Sequence, residues 1–278
     1  MSIDVEKFSI EGYLGPFKIH EYHQISSLLK ERYIPRQYYT WLKSPHEKSE
    51  PIVKIAADKN IVDKLKHILK DNILLWGSLF VEQKPGNRHS WHLDVEHGSW
   101  EGVTVSIGLK NLNNKTSLSL ITHSHLLNSS PIELKKKNNL NCDNDQDVLK
   151  EAKKLDPRCE LKTFYLNPGE FVLWSGKIWH STLNESSSKR QSIILQYCTP
   201  DNLVKIPSNF EYPNTQWSET KPPCILISGK DNYKYNKVLT RDDIKPFSKY
   251  LQKFKVSVLY NSRYKIAAIY RKLKNYKK

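Results

Sequence analysis

Residues 72–94 read NILLWGSLFVEQKPGNRHSWHLD, and this stretch decides the fold. Its first part, residues 73–81, is aliphatic and aromatic, and it is followed by Lys84-Pro85-Gly86, which is typical of a turn. The last part, His92-Leu93-Asp94, places two potential metal ligands two residues apart. On an extended strand, both side chains would leave the same face. The stretch therefore predicts a buried strand, a turn, and an extended segment that carries metal ligands.

Further short strands are predicted on the C-terminal side of this stretch. Residues 103–109 alternate between aliphatic and small or polar side chains, the pattern of a strand with one buried face. Clusters of Asn, Ser, Pro and Gly separate the other candidates, which are residues 117–121, 161–166, 170–174 and 190–198. Upstream, residues 25–32 and 60–71 have apolar residues at helical spacing. We therefore predict a mainly β (α+β) fold, a sandwich or jelly roll with N-terminal helices packed outside it.

Two irregular stretches interrupt or follow the predicted strands. Residues 138–157 are polar, with a short helical pattern at 148–155, and are interpreted as an insertion in a long loop. Residues 200–223 are rich in proline and are interpreted as a linker or cover. Because loops on a rigid scaffold usually carry recognition, both stretches are candidates for binding a substrate.

The positive charge of the chain is concentrated near its C-terminus. The net charge is +15, and residues 244–278 contain eleven Lys or Arg and no Asp or Glu, so the rest carries only +4. We divide the chain into a jelly-roll domain with the N-terminal helices, residues 1–228, and a basic extension, residues 229–278. Within the extension, residues 249–278 have a basic amphipathic helical pattern. Two interpretations remain open: a helix packed on the jelly roll, or a segment that docks on an acidic partner or a membrane surface.

Composition excludes several other classes of protein. The four cysteines are widely spaced without a Cys-x-x-Cys pair, which argues against a disulfide framework and a zinc finger. No apolar run reaches the roughly 20 residues of a membrane span, and residues 1–22 lack the pattern of a secretory signal, so we expect a cytoplasmic protein. The mildly basic body contains no interleaved basic motif, so no specific nucleic-acid partner is expected.

A third ligand would make a metal site from the His92-Leu93-Asp94 motif. His180 would complete a facial triad of two histidines and one carboxylate, which leaves open positions on non-haem iron. His-x-Asp by itself occurs by chance in many chains, so the order of the surrounding motifs decides its meaning.

That order resembles the phytanoyl-CoA dioxygenase family. The resemblance extends over roughly residues 51–205, and its motifs are residues 72–78, Lys84-Pro85-Gly86, residues 91–94, residues 118–125, Pro168-Gly169-Glu170, His180-Ser181-Thr182 and Arg190. It implies a double-stranded β-helix of the jelly-roll, cupin-like type. It also implies Fe(II) bound by His92, Asp94 and His180, with 2-oxoglutarate and dioxygen as cosubstrates.

The resemblance also implies roles for residues around the iron. Arg190 matches the cationic anchor for the distal carboxylate of 2-oxoglutarate, for which its planar fork is suited. Thr182 matches a hydroxyl position that assists there, and Lys84 matches a lysine that approaches the cosubstrate. Ser192 would share a strand face with Arg190 and is a candidate from spacing alone. His89 and His97 are further candidates to line the pocket.

The implied reaction is hydroxylation of an unactivated C–H bond in a small or carrier-linked metabolite, which could be anionic, with release of succinate and CO2. Related halogenases have Gly or Ala in place of the carboxylate ligand, whereas this chain retains Asp94, which favours hydroxylation. The alternative is a non-catalytic jelly-roll module that binds an anionic ligand or partner. Retention of all three ligands and of Arg190 argues against that alternative.

Overall fold

A computed structural model describes residues 3–20, 22–31, 39–94, 100–208 and 215–244 of the chain. The predicted basic helical segment, residues 249–278, lies outside the described residues, and so does His97. No helix in the described ranges is long and apolar enough to cross a membrane. All four cysteines are buried free thiols.

The described chain forms two facing β-sheets, and every strand pair but one is antiparallel. In chain order the strands are β1 (Tyr13–Lys18), β2 (Ile73–Gln83), β3 (Arg88–His92), β4 (Val103–Lys110), β5 (Thr116–Ile121), β6 (Leu161–Phe164), β7 (Glu170–Ser175), β8 (His180–Asn184), β9 (Arg190–Cys198), β10 (Pro223–Ser228) and β11 (Lys237–Leu239). The main sheet has the order β1-β7-β4-β9-β2-β10-β11, and the minor sheet has the order β3-β8-β5-β6. This arrangement confirms the predicted mainly β jelly roll.

The N-terminal helices cover the outer face of the main sheet. They are α1 (Ile3–Glu11), α2 (Gln24–Glu31), α3 (Glu50–Ala56) and α4 (Lys59–Leu69), with a short 3-10 helix, Pro45–Lys48, before α3. Asp58 is the N-cap of helix α4, and its carboxylate accepts hydrogen bonds from free backbone N–H groups in the first turn. Ile61 and Leu65 on its apolar side are fully buried in one cluster with Leu195 and Tyr197 of β9. The burial of these side chains holds the helices against the sheet.

The insertion between β5 and β6 covers the outer face of the minor sheet. It forms α5 (Pro131–Asn138) and α6 (Asp145–Leu155), so the helical pattern at 148–155 is confirmed. Val148 and Ala152 of α6 pack against Trp91 and Trp179. Each tryptophan directly precedes a proposed iron ligand, and neighbouring residues on a strand point to opposite faces. The insertion therefore supports the ligand-bearing strands from behind.

Four strands were not predicted from the sequence: β1, β8, β10 and β11. Strand β11 lies beyond residue 228 and pairs in parallel with β10 at the edge of the main sheet. The proposed domain boundary between residues 228 and 229 stays a prediction. Two further 3-10 helices, Ser124–Leu126 and Arg241–Asp243, complete the described secondary structure.

Candidate metal centre and cosubstrate pocket

His92, Asp94 and His180 converge at the open end of the space between the sheets. One ligand atom from each residue lies within 4.8 Å of the other two. His180 Nε2 lies 3.7 Å from Asp94 Oδ2, and the His92 and His180 ring centroids are 4.1 Å apart. His92 ends β3 and His180 begins β8, and these residues are antiparallel partners in the minor sheet. The sheet register therefore brings the two histidines together, and the turn after β3 adds the carboxylate.

Both histidines are held in the tautomer that suits metal binding. His92 Nδ1 lies 2.8 Å from the backbone oxygen of Ser90, and His180 Nδ1 lies 3.1 Å from that of Ile178. A carbonyl oxygen can only accept, so each Nδ1 carries the hydrogen and each Nε2 has a free lone pair. Metal-binding histidines usually have this second contact. The two rings are thus oriented for a metal ion.

The carboxylate of Asp94 is fixed from the main sheet. Thr104 donates its hydroxyl hydrogen to Oδ2 at 2.7 Å, and the indole N–H of Trp174 donates to the same atom at 3.3 Å. The Asp94 backbone N–H donates to the oxygen of Gly176 at 3.0 Å. Asp94 thus lies in a turn, not within a strand, and contacts from the main sheet orient it.

The electrostatics of the cluster keep all three residues in the form that binds a metal. Burial lowers the pKa of His92 to about 3, and the nearby charge of His180 lowers it as well. Burial also lowers the pKa of His180. For Asp94, burial raises the pKa, but His180, Lys43, His92 and the bond from Thr104 outweigh it, and the pKa falls to about 2. At neutral pH the site therefore has two neutral imidazoles and one carboxylate.

A pocket of about 530 Å³, part of it open to solvent, extends from these residues between the sheets. Arg190, at the start of β9, lines it and is 3% exposed. Its Nη1 donates to the oxygen of Ser117 at 2.9 Å, whereas its Nε has no hydrogen-bond partner. Burial lowers its pKa to about 10, which leaves it charged at neutral pH. The buried hydroxyl of Ser192, two residues along the same strand, is also without a partner.

These unpartnered donors fit 2-oxoglutarate. A buried cation needs an anion, and the distal carboxylate of a small dicarboxylate would supply both the charge and the acceptors. The apolar side chains of Leu79, Val81 and Leu118 line the pocket near the arginine and suit the methylene groups of such a ligand. The donor set of two imidazoles and one carboxylate suits iron(II).

Of the remaining predicted residues, some line the pocket and one does not. Thr182 and Ser192 line the pocket, and so does His89, whose ring centroid is 4.0 Å from that of His92. Lys84 is exposed in the turn between β2 and β3 and does not line the pocket. None of the described residues of the 138–157 insertion or of the 200–223 stretch lines this pocket, and their role in substrate recognition stays a prediction.

Sequence reasoning did not identify Lys43, Trp174 and Gln196, which line the pocket, or Thr104, which donates a hydrogen bond to Asp94. Gln196 continues the alternation of Arg190, Ser192 and Ile194 along β9, so a period of two, followed further, predicts its position. Thr104 alternates in the same way along β4. Lys43 lies in an irregular segment before the 3-10 helix, and no periodic signal marks it.

Comparison with protein families shows to which family this chain belongs. The family model described as phytanoyl-CoA dioxygenase (PhyH) matches residues 30–192, more than half of the chain. The chain belongs to this family. The match confirms the resemblance found in the sequence, and with the His-Asp-His cluster it identifies a non-haem iron, 2-oxoglutarate-dependent type of oxygenase. A search of curated proteins gave no significant match.

Several solved structures share the fold of this chain. A structure described as the non-heme monooxygenase ThoJ in its apo form has a TM-score of 0.61 at 14% identity, covering 94% of this chain and 96% of that one. CytC3 with Fe(II) and alpha-ketoglutarate has a TM-score of 0.59 at 18% identity, covering 86% and 93%. The epimerase SnoN with Fe3+, alpha-ketoglutarate and nogalamycin RO has a TM-score of 0.57 at 12% identity, covering 87% and 96%. At these identities the likeness shows the fold, and a fold shared by a monooxygenase and an epimerase leaves the reaction open.

Proposed function

We propose that this PhyH-family protein is an Fe(II)- and 2-oxoglutarate-dependent dioxygenase that hydroxylates an unactivated C–H bond of a small or carrier-linked metabolite. The observation that carries the proposal is the convergence of His92, Asp94 and His180 in a pocket that also contains a buried, partly unpartnered arginine. When bound, iron(II) with 2-oxoglutarate and dioxygen supplies the oxidising power, and succinate and CO2 are released.

The chain itself contributes positioning and shielding. His92, Asp94 and His180 would hold the metal through two imidazoles and one carboxylate, a ligand set that leaves coordination positions free. Arg190 and Ser192 bind the distal carboxylate of 2-oxoglutarate, and Thr182 lies on the facing strand of the minor sheet. The apolar side chains between them keep water from the reacting centre, which protects an oxidising site from side reactions.

The retained carboxylate supports hydroxylation over halogenation. Asp94 takes up the third protein position of the triad, and Thr104 and Trp174 hold it there. A halide would need that position. The alternative of a non-catalytic binding module would require only the anion site at Arg190, and it gives no reason for the histidine tautomers or for the orientation of Asp94.

Turnover of 2-oxoglutarate tests the proposal. The anaerobic protein is loaded with Fe(II) and 2-oxoglutarate, isotopically labelled dioxygen is admitted, and succinate is measured across a set of candidate metabolites. We expect a substrate to accelerate succinate formation and to gain one labelled oxygen atom. Asp94→Ala is the control and should give no labelled hydroxylated product. Binding of 2-oxoglutarate without any succinate would favour the binding module, and succinate without labelled product would point to a different oxidation.

A further inference from the structure

The pocket has a second polar region, which lies on the inner face of the main sheet and is distant from Arg190. Gln196 of β9 lies opposite Gly77 of β2 and Thr104 of β4. It lies six positions after Arg190, so their backbones are about 20 Å apart at the usual rise of a strand. Because Thr104 contacts Asp94, Gln196 lies in the row of side chains beside the metal ligands. The pocket therefore has one polar end at Arg190 and another at Gln196.

Gln196 is buried there without hydrogen bonds. It is 2% exposed, and neither its Oε1 nor its Nε2 has a partner. Burial of an amide without partners is unfavourable, because no hydrogen bond offsets the loss of its contacts with water. A ligand that offers both an acceptor and a donor would remove this cost.

Lys43 lies beside Gln196 and lacks a counter-ion. A Cβ atom added at Gly77 would meet Gln196 Oε1 at 2.8 Å and Lys43 Cβ at 3.6 Å, so both side chains pack over this glycine. Lys43 Nζ lies 5.2 Å from the centroid of the Trp76 ring. No carboxylate of the described ranges is within ion-pair distance of Lys43, and burial lowers its pKa although the charge of Asp94 opposes this. An anion is the ligand that such a lysine would stabilise.

Binding of 2-oxoglutarate does not provide a partner for Lys43 and Gln196. Four carbon–carbon bonds join the two carboxyl carbons of 2-oxoglutarate, a span of about 5 Å. With one end at Arg190 and the other at the metal ligands, both of its carboxylates are engaged. Lys43 and Gln196 are then left for a second molecule.

We propose that Lys43 and Gln196 form the substrate-recognition site of the pocket and that this site takes a small carboxylic acid with a neighbouring hydroxyl or amino group. The carboxylate pairs with Lys43 and accepts from Gln196 Nε2, and the neighbouring group donates to Gln196 Oε1. This inference rests on the proposed function, since it assumes that Arg190 and the triad bind the cosubstrate.

Binding measurements test this assignment without turnover. The full chain is loaded with Mn(II) and saturating 2-oxoglutarate, and isothermal titration calorimetry is run with L-threonine, L-malate, L-glutamate and similar acids, each matched with its primary amide. We expect at least one acid to bind about tenfold more tightly than its amide. Lys43→Met should abolish this preference, and Lys43→Arg should retain it. Gln196→Leu should weaken the binding of acid and amide alike by about tenfold.

Affinity for 2-oxoglutarate separates the possible outcomes. It should change less than about twofold in all three variants and in the control Lys110→Met, which alters an exposed lysine at the end of β4. A large loss of 2-oxoglutarate binding in Lys43→Met would assign Lys43 to the cosubstrate and overturn the inference. The inference also fails if no acid binds better than its amide. Failure of the unaltered protein to bind 2-oxoglutarate with Mn(II) would instead refute the proposed function.

Discussion

The hydroxyl of Thr104 donates to Oδ2 of Asp94 at 2.7 Å and so connects the main sheet to the metal-binding turn of the minor sheet. Asp94 lies two residues after His92, the last residue of β3, and has no strand partner to fix its direction. Contacts of this kind orient metal-binding carboxylates, and their loss typically costs about 10- to 100-fold in metal affinity. Thr104 is therefore part of the metal site although it does not bind the metal.

Thr104→Val should weaken metal binding by about tenfold while leaving the fold intact, because valine has nearly the same shape but no donor. Competition between the protein and a fluorescent chelator for Mn(II) measures the effect. Thr163→Val, on an exposed position of β6, is the matched control. Equal affinities in the two variants would show that Trp174 and the backbone suffice to hold Asp94.

Arg190→Ala should reduce the affinity for 2-oxoglutarate by roughly 100-fold or more, since loss of one partner of a buried charged pair costs about 3 kcal/mol. Binding of Mn(II) should stay within about twofold, because Arg190 does not contact the triad. Calorimetry with each ligand measures both effects. Arg158→Ala, an exposed arginine paired with Asp156, should change neither. Parallel loss of both ligands would contradict the assignment of Arg190 as the carboxylate anchor.

Much of the site was predictable because it follows from strand periodicity and ordered motifs. Arg190 and Ser192 point into the pocket, as their alternation along β9 predicts. His92, Asp94 and His180 lie together, as the ordered motifs predict. The geometric reason given for Asp94 was wrong: an extended strand was expected to carry it, whereas β3 ends at His92 and contacts from Thr104, Trp174 and Gly176 orient the carboxylate.

The parts that sequence did not reveal depend on distant partners. Strand β1 contains Gly15-Pro16, which suggests a turn, yet its pairing with β7 makes it an edge strand. Lys43 reaches the pocket because its backbone oxygen accepts from the N–H of Ser78 on β2. Neither contact is associated with a periodic pattern in the local sequence. The insertion at 138–157 is predicted to bind substrate, and its buried side chains pack behind the minor sheet.

A buried histidine outside the site should make the stability of the metal-free protein depend on pH. His46 is fully buried, its Nε2 donates to the oxygen of Pro223 at 2.9 Å, and its Nδ1 accepts from the hydroxyl of Ser78 at 2.8 Å. Burial lowers its pKa from 6.5 to about 4. Between these two values the unfolded chain binds a proton that the folded chain does not, so stability falls as the pH is lowered.

The expected decrease is about 1.4 kcal/mol per pH unit for one such group, and the lowered pKa values of His92 and His180 act in the same direction. Urea unfolding in a chelator at several pH values below 6.5 measures the slope. His46→Gln should make the slope shallower, whereas His67→Gln, at a surface position near Asp4, should leave it nearly unchanged. An unchanged slope in His46→Gln would mean that His46 is protonated in the folded state.

The basic extension gives the last prediction, and it rests on sequence alone because residues 245–278 lie outside the described residues. Ile266, Ile269, Tyr270 and Leu273 fall at helical spacing among the basic residues. If this segment docks on an acidic surface, the attraction must weaken with salt, because the screening length shrinks from about 10 Å at 0.1 M to about 3 Å at 1 M. Packing of an apolar face on the jelly roll would not show this dependence.

We expect the full chain to sediment with vesicles of phosphatidylserine but not with those of phosphatidylcholine, and to be released as salt rises. Changing Arg271, Lys272 and Lys274 together to Gln should weaken this binding roughly 100-fold, at about 1 kcal/mol per charge, without affecting 2-oxoglutarate binding. Truncation after Asp243 should abolish vesicle binding and leave succinate formation with a small free substrate intact. Loss of folding or of 2-oxoglutarate binding in the truncated chain would show instead that the extension packs on the catalytic domain, and the docking interpretation would have to be abandoned.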